Sequence, residues 1–74
     1  MDIRHLTYFL EVARLKSFTK ASQSLYVSQP TISKMIKNLE TELGIKLFYR
    51  NGRQVELTDA GQSMYVQAQE ITKS

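Results

Sequence analysis

Apolar side chains recur along this chain with helical spacing in four places and with strand-like spacing in one. Ile3, Leu6, Phe9, Leu10 and Ala13 form one apolar face and predict an amphipathic helix over Ile3–Leu15, with Asp2 before it as N-cap. Ser17 precedes a short second helix, Phe18 to about Leu25, in which Phe18, Ala21 and Leu25 point inward. Ala21 is small enough for another helix to cross closely. Tyr26-Val27 makes the connection that follows, without a glycine. Ser28 then caps a third helix, over residues 29–43, and Pro30 falls in its first turn, where a missing N–H costs nothing. Neither Ser17 nor Ser28 has Glu or Gln three residues on, so neither forms a capping box. Gly44 ends the third helix as a left-handed residue.

Leu47-Phe48-Tyr49 and Gln54-Val55-Glu56-Leu57 are short strands in this pattern, flanking Arg50-Asn51-Gly52-Arg53, and Asn-Gly is a strong hairpin signal. Thr58 caps a last helix that carries Ala60, Met64, Ala68 and Ile71 on one side, with Tyr65 near them. That helix is still periodic at Ser74, so the chain is expected to continue beyond it. The predicted order is helix, helix, turn, helix, hairpin, helix: a mostly α fold, a three-helix core with a two-stranded wing and the start of a longer helix.

The third helix has the most informative surface. At about 100° per residue, Ile32, Ile36, Leu39 and Leu43 span roughly 60° of the wheel and predict a buried stripe. The opposite side presents Pro30, Lys34, Lys37 and Thr41, flanked by Gln29, Ser33 and Asn38. No carboxylate occurs on this helix before Glu40. Amide, hydroxyl and ammonium groups are those that read base edges and hold phosphates. Helix N-termini also attract anions through their free N–H groups. A short helix, a tight turn and a second helix with such a face make a helix-turn-helix. Arg50 and Arg53, at the predicted hairpin tip, suit the negative potential of a narrow minor groove.

Charge changes the picture in one respect. Ten Lys and Arg against seven Asp and Glu give a net charge of +3. From Arg14 to Arg53, eight basic residues face only Glu40 and Glu42, a local balance of +6. A polyanionic partner accounts for that bias, as does a merely solvated basic surface.

Other chemistry finds little support. The 74 residues allow one small domain. There is no cysteine, which excludes disulfides and thiolate chemistry and fits a reducing cytoplasm. His5 is the single histidine and lacks a second ligand or base beside it in the pattern. No paired carboxylates or glycine-rich phosphate loop occur, so neither catalytic residues, nor a metal site, nor a cofactor is expected. No apolar run approaches the roughly 18 residues of a membrane span, and the first residues do not open a signal peptide. Tyr8, Tyr26, Tyr49 and Tyr65 are spread over separate elements and form no stacking platform.

The run Ser17-Phe18-Thr19-Lys20-Ala21, then Leu25, Val27-Ser28-Gln29-Pro30, Ile32-Ser33, Ile36, Leu39-Glu40, Leu43-Gly44, Leu47-Phe48, Arg50 and Leu57-Thr58-Asp59-Ala60-Gly61 resembles the signature of LysR-type transcriptional regulators. The resemblance covers essentially the whole chain. It implies an N-terminal winged helix-turn-helix over residues 1–58 and, over 59–74, the start of a linker helix that pairs with its twin in a dimer. It implies a C-terminal effector-binding domain that this chain lacks, tetramers of the full-length protein, and control of bacterial promoters through a small-molecule effector. It assigns Gln29, Pro30, Ser33 and Lys34 to the major groove and Arg53 to the minor groove. Ser28, Thr31, Lys37 and Arg50 are the adjacent candidates. The expected partner is double-stranded DNA carrying an interrupted inverted repeat. Two positions depart from the pattern. Lys34 stands where arginine is frequent, replacing a forked contact by a point charge. Leu15-Lys16 stands where a glycine-containing approach to Ser17 is usual. A winged helix that docks a protein partner instead of DNA is the competing reading. The apolar edge of the last helix supports it, and the basic residues on both the third helix and the hairpin argue against it.

Overall fold

The computed structural model describes the backbone of residues 2–51 and 54–73 and the side chains of residues 2–49 and 55–70. Four helices, α1 (Ile3–Leu15), α2 (Phe18–Leu25), α3 (Gln29–Leu43) and α4 (Asp59–Lys73), surround a small core. A two-stranded antiparallel sheet, β1 (Phe48–Asn51) and β2 (Gln54–Leu57), lies between α3 and α4 in the chain.

Each helix starts where a side-chain oxygen replaces the missing backbone acceptor. Asp2 Oδ1 accepts the N–H groups of Arg4 at 2.9 Å and His5 at 3.2 Å. His5 answers with Nδ1, which accepts the Asp2 N–H at 3.4 Å, so the capping box absent from α2 and α3 occurs at α1 with histidine in the reciprocal role. The His5 bonds hold the Asp2 carboxyl below the usual carboxylate range. Ser17 Oγ accepts the Lys20 N–H at 3.0 Å to start α2. The helices end in left-handed residues: Lys16, Tyr26 and Gly44, with φ of 53°, 58° and 71°. Only the last is a glycine, so the first two carry a steric cost that glycine would avoid.

The core is built on α1, which packs against α2, α3 and α4. Phe9 and Val12 are fully buried there, and Ile32, Ile36 and Leu39 meet them from α3. Ring contacts tie the elements together: Phe9 to Phe48 at 5.4 Å between centroids, Phe18 to Phe48 at 5.9 Å, and Phe9 to Tyr65 at 6.5 Å. The expected α1 face needs correcting at two positions. Val12, not expected, is buried because partners cover α1 on more than one side, while Ile3 projects past them and is 56% exposed. Leu10, Leu25 and Leu43 are half-buried at the edge of the core.

The first strand is also shifted from its expected position. Leu47 precedes β1 and is wholly buried. Its N–H and C=O are taken by Glu40 and Thr58, not by a strand partner. The strand instead continues through Arg50 and Asn51, in the register Phe48↔Leu57, Tyr49↔Glu56, Arg50↔Val55 and Asn51↔Gln54.

Thr58 joins the wing to α4. Its N–H donates to the Leu47 carbonyl at 3.0 Å and its hydroxyl donates to the Lys46 carbonyl at 2.6 Å, while Oγ1 accepts the Gly61 N–H at 2.9 Å. One side chain thus caps α4 and pins it to the root of the wing. Ala68 is fully buried, and Met64 and Tyr65 pack against the core. The predicted apolar stripe of α4 is therefore largely used within the domain. Its fourth member, Ile71, has its side chain outside the described residues.

Candidate nucleic-acid interface

The turn between α2 and α3 sets the recognition surface. Tyr26 reverses the chain in the left-handed conformation, and the Val27 N–H returns to the Ser22 carbonyl at 3.1 Å. Ser28 then starts α3: its Oγ accepts the Thr31 N–H at 3.2 Å and lies 2.7 Å from the Thr31 hydroxyl. Pro30 occupies the first turn. The two helices are also linked directly, by the Thr19 hydroxyl reaching Gln29 Oε1 at 3.5 Å, the outer limit of a hydrogen bond.

With Ile32, Ile36 and Leu39 buried, the rest of α3 has its orientation decided. Ser28, Gln29, Pro30, Thr31, Lys34 and Lys37 are all exposed, and Ser33 is half-buried. The expected residues from Ser28 to Lys37 thus lie on the accessible surface of one helix and its cap. Ser28 and Thr31 are engaged with each other through the cap, which gives Ser28 a structural role beside any contact role. Arg50 lies within β1, paired with Val55, and not at the tip; its side chain, like all of Arg53, is outside the described residues.

The acidic group at the border of this face, Glu40, is engaged by backbone donors. Glu40 Oε2 accepts the backbone N–H groups of Leu47 at 2.7 Å and Phe48 at 3.3 Å. The one carboxylate bordering the basic helix face is thereby turned onto the wing root. The helical pattern had marked Glu40 as a border residue without this function; its acceptors lie seven and eight residues on, too far for a periodicity argument. Between α3 and the wing root lies an open cleft of about 510 Å³ whose polar lining is Ser33, Lys34, Lys37, Glu40 and Lys46. None of the ion pairs among the described residues involves the three lysines. Lys46 was absent from the expected contact set because it belongs to no periodic element.

On the far side, α1 and α4 enclose a second cleft of about 530 Å³ bordered by Thr7, Leu10, Leu25, Tyr65 and Val66. At its edge Glu11 receives the Arg14 guanidinium through two bonds of 2.9 Å and the Ser24 hydroxyl. These bonds, the Arg14 pair foremost, lower the Glu11 carboxyl below its ordinary range and raise the Arg14 guanidinium.

Among the described residues no helix is long and apolar enough to cross a membrane. The family profile described as "Bacterial regulatory helix-turn-helix protein, lysR family" matches residues 3–62. Over 57 residues, 77% of this chain, the sequence is 96% identical to a Bacillus subtilis (strain 168) protein described as "Uncharacterized HTH-type transcriptional regulator YwbI". The chain spans between about a fifth and a half of the length of such relatives. Among solved structures, the BenM DNA-binding domain in complex with benA site 1 DNA superposes with a TM-score of 0.95 at 44% identity, over 99% of this chain and 85% of that one. The CbnR DNA-binding domain in its DNA complex superposes with a TM-score of 0.95 at 38% identity, over 99% of this chain and 84% of that one.

Proposed function

The chain belongs to the lysR family of bacterial regulatory helix-turn-helix proteins and is a DNA-binding domain of that family, and from this premise we propose that it reads an operator by inserting α3 into the major groove. Gln29 and Lys34 make base-edge contacts in this reading, with Pro30 and Thr31 against the bases or the adjacent backbone. Ser33 lies with them at the major groove, Ser28 and Lys37 bond phosphates, and the hairpin carries Arg50 and Arg53 to the minor groove. The observation that carries it is the exposed surface of α3 from Gln29 to Asn38, a stretch without a carboxylate, held in position by the buried Ile32, Ile36 and Leu39 and by the capped turn.

Residues 1–58 form the reading unit and 59–74 begin a linker through which two copies pair. Two copies present two recognition helices, so the operator is an interrupted inverted repeat with half-sites spaced by about one helical turn, roughly 10 bp, or a multiple of it. In the longer protein, a further domain takes the small-molecule effector and assembly proceeds to tetramers. The work is done in the bacterial cytoplasm, where the promoters are.

The test is fluorescence anisotropy with the native chain and Gln29→Ala on an operator obtained by selecting bound sequences from a random DNA pool and on a random duplex. A good amide-to-base contact is worth on the order of 1–3 kcal/mol of discrimination. The variant is expected to lose that amount on the operator and little on the random duplex. Equal losses on both would assign Gln29 to the backbone instead.

A further inference from the structure

A helix in the major groove and a wing in the neighbouring minor groove must straddle the sugar–phosphate ridge that separates the two grooves. The concavity between α3 and the wing root is the part of this protein that faces such a ridge, and it is lined by Lys34, Lys37 and Lys46. We propose that Lys46 is a DNA phosphate contact, forming with Lys37 a seat for the strand that runs between the two grooves. The inference rests on the reading of α3 as the major-groove helix and adds a residue and a site to it.

Lys46 lies outside every helix and strand, yet the peptide unit that follows it is held at both its C=O and its N–H. Its carbonyl accepts the Thr58 hydroxyl at 2.6 Å, and the next N–H, that of Leu47, donates to Glu40 at 2.7 Å. The ammonium is thus tethered to a fixed point between α3 and β1, and its side chain is exposed. Lys37 approaches the same cleft from the exposed face of α3. Glu40 is the acidic group of the lining, and it is engaged by two backbone N–H groups, which offset part of its charge. Three ammonium groups against one occupied carboxylate leave the cleft cationic. No ion pair among the described residues competes for the lysines. A phosphodiester fits this chemistry: it is monoanionic and acceptor-only, and it is found at this ridge whatever the sequence.

The experiment is DNA binding by Lys46→Gln, on operator and random duplexes, over a series of salt concentrations. Removal of one phosphate contact lowers the log–log salt slope by about 0.9, or about fivefold in affinity at 0.15 M salt. That loss is expected equally on both duplexes, and Lys46→Arg is expected to restore it. Lys16→Gln removes the same charge from a separate recess beside Val55 and Glu56; it is expected to leave the slope unchanged and cost less than about twofold. An unchanged slope for Lys46→Gln, or equal losses for the two glutamine variants, overturns the phosphate seat. In either case a native chain that still binds with a steep salt dependence keeps the parent reading intact. A native chain without salt-dependent DNA binding overturns the parent reading itself.

Discussion

Gly61 and Leu47 approach so closely that a Cβ on the glycine would stand 2.1 Å from the Leu47 carbonyl oxygen. That oxygen already accepts the Thr58 N–H, and the Gly61 N–H donates to the Thr58 hydroxyl. The first turn of α4 is therefore seated directly on the backbone at the root of the wing. Glycine is required here for room, since the obstructing atom is backbone and has no alternative rotamer. Gly61→Ala is expected to cost about 1–3 kcal/mol, the usual range for overpacking. Urea unfolding measures it, and an unchanged midpoint would mean that α4 shifts freely on the wing.

Tyr26 presents the opposite case, a residue whose side chain is dispensable and whose backbone is strained. It sits at φ 58° and is 94% exposed. Left-handed backbone costs an ordinary residue roughly 1–2 kcal/mol, while glycine brings an entropic penalty of about 0.5–1 kcal/mol. Tyr26→Gly is therefore expected to stabilise the fold by about 0.5–1 kcal/mol in the same unfolding assay. A loss of stability would show that the tyrosine ring contributes packing that its exposure hides.

These two positions also show which features of the fold could be read in advance. Caps and stripes are local signals. Ser17, Ser28, Thr58 and Gly44 announce helix ends through chemistry acting within three residues, and Ile32, Ile36 and Leu39 fix the inner face of α3 by period alone. The exposed set from Gln29 to Lys37 followed from that face, so most of the candidate site was legible. What was not legible depends on contacts far along the chain. The acceptance of the Leu47 and Phe48 N–H groups by Glu40 needs the wing to fold back on α3. The burial of Val12 needs three helices around α1. Leu47 looked like a strand residue because it is apolar beside an aromatic pair, but its backbone partners are a side chain and a loop. Lys46 gave no signal at all, since a single lysine between a glycine and a strand has no period to belong to.

The Glu11 pair predicts a specific acid sensitivity. Arg14 and Ser24 both bond the Glu11 carboxylate, which joins α1 to the end of α2. The carboxyl is lowered from its ordinary value of 4.5, chiefly by the Arg14 bonds. A folded-state pKa below the unfolded one means that the unfolded chain binds the proton more readily. The stabilisation is therefore complete above the ordinary carboxylate range and is lost as pH falls below 4.5 through the folded value. Because Arg14 is largely exposed, solvent screens much of the contribution. Glu11→Gln is expected to lower stability modestly at pH 7 and to converge with the native chain in acid. Parallel stability curves from pH 7 down to pH 3 would assign the acid sensitivity elsewhere.

Pairing through α4 is testable at Val66. Ala68 is buried in the core of its own domain, whereas Val66, two residues earlier and so on the opposite side of the helix, is 52% exposed. It borders the cleft formed with Leu10, Leu25 and Tyr65, so the exposed apolar surface of α4 is continuous with that of α1. A second copy related by a two-fold axis along α4 would cover this surface and place the two recognition helices on one side of the DNA. A carboxylate at the seam would be desolvated without a partner, and its cost should appear only when two copies bind together. Val66→Glu is expected to weaken two-to-one binding to a palindromic duplex at least tenfold, about 1.4 kcal/mol, and to leave binding to a single half-site unchanged. Sedimentation of the native and variant chains, with the palindrome and with the half-site, separates the two effects. If the native chain occupies its palindrome one-to-one, or if Val66→Glu leaves cooperativity untouched, the seam lies elsewhere on the molecule.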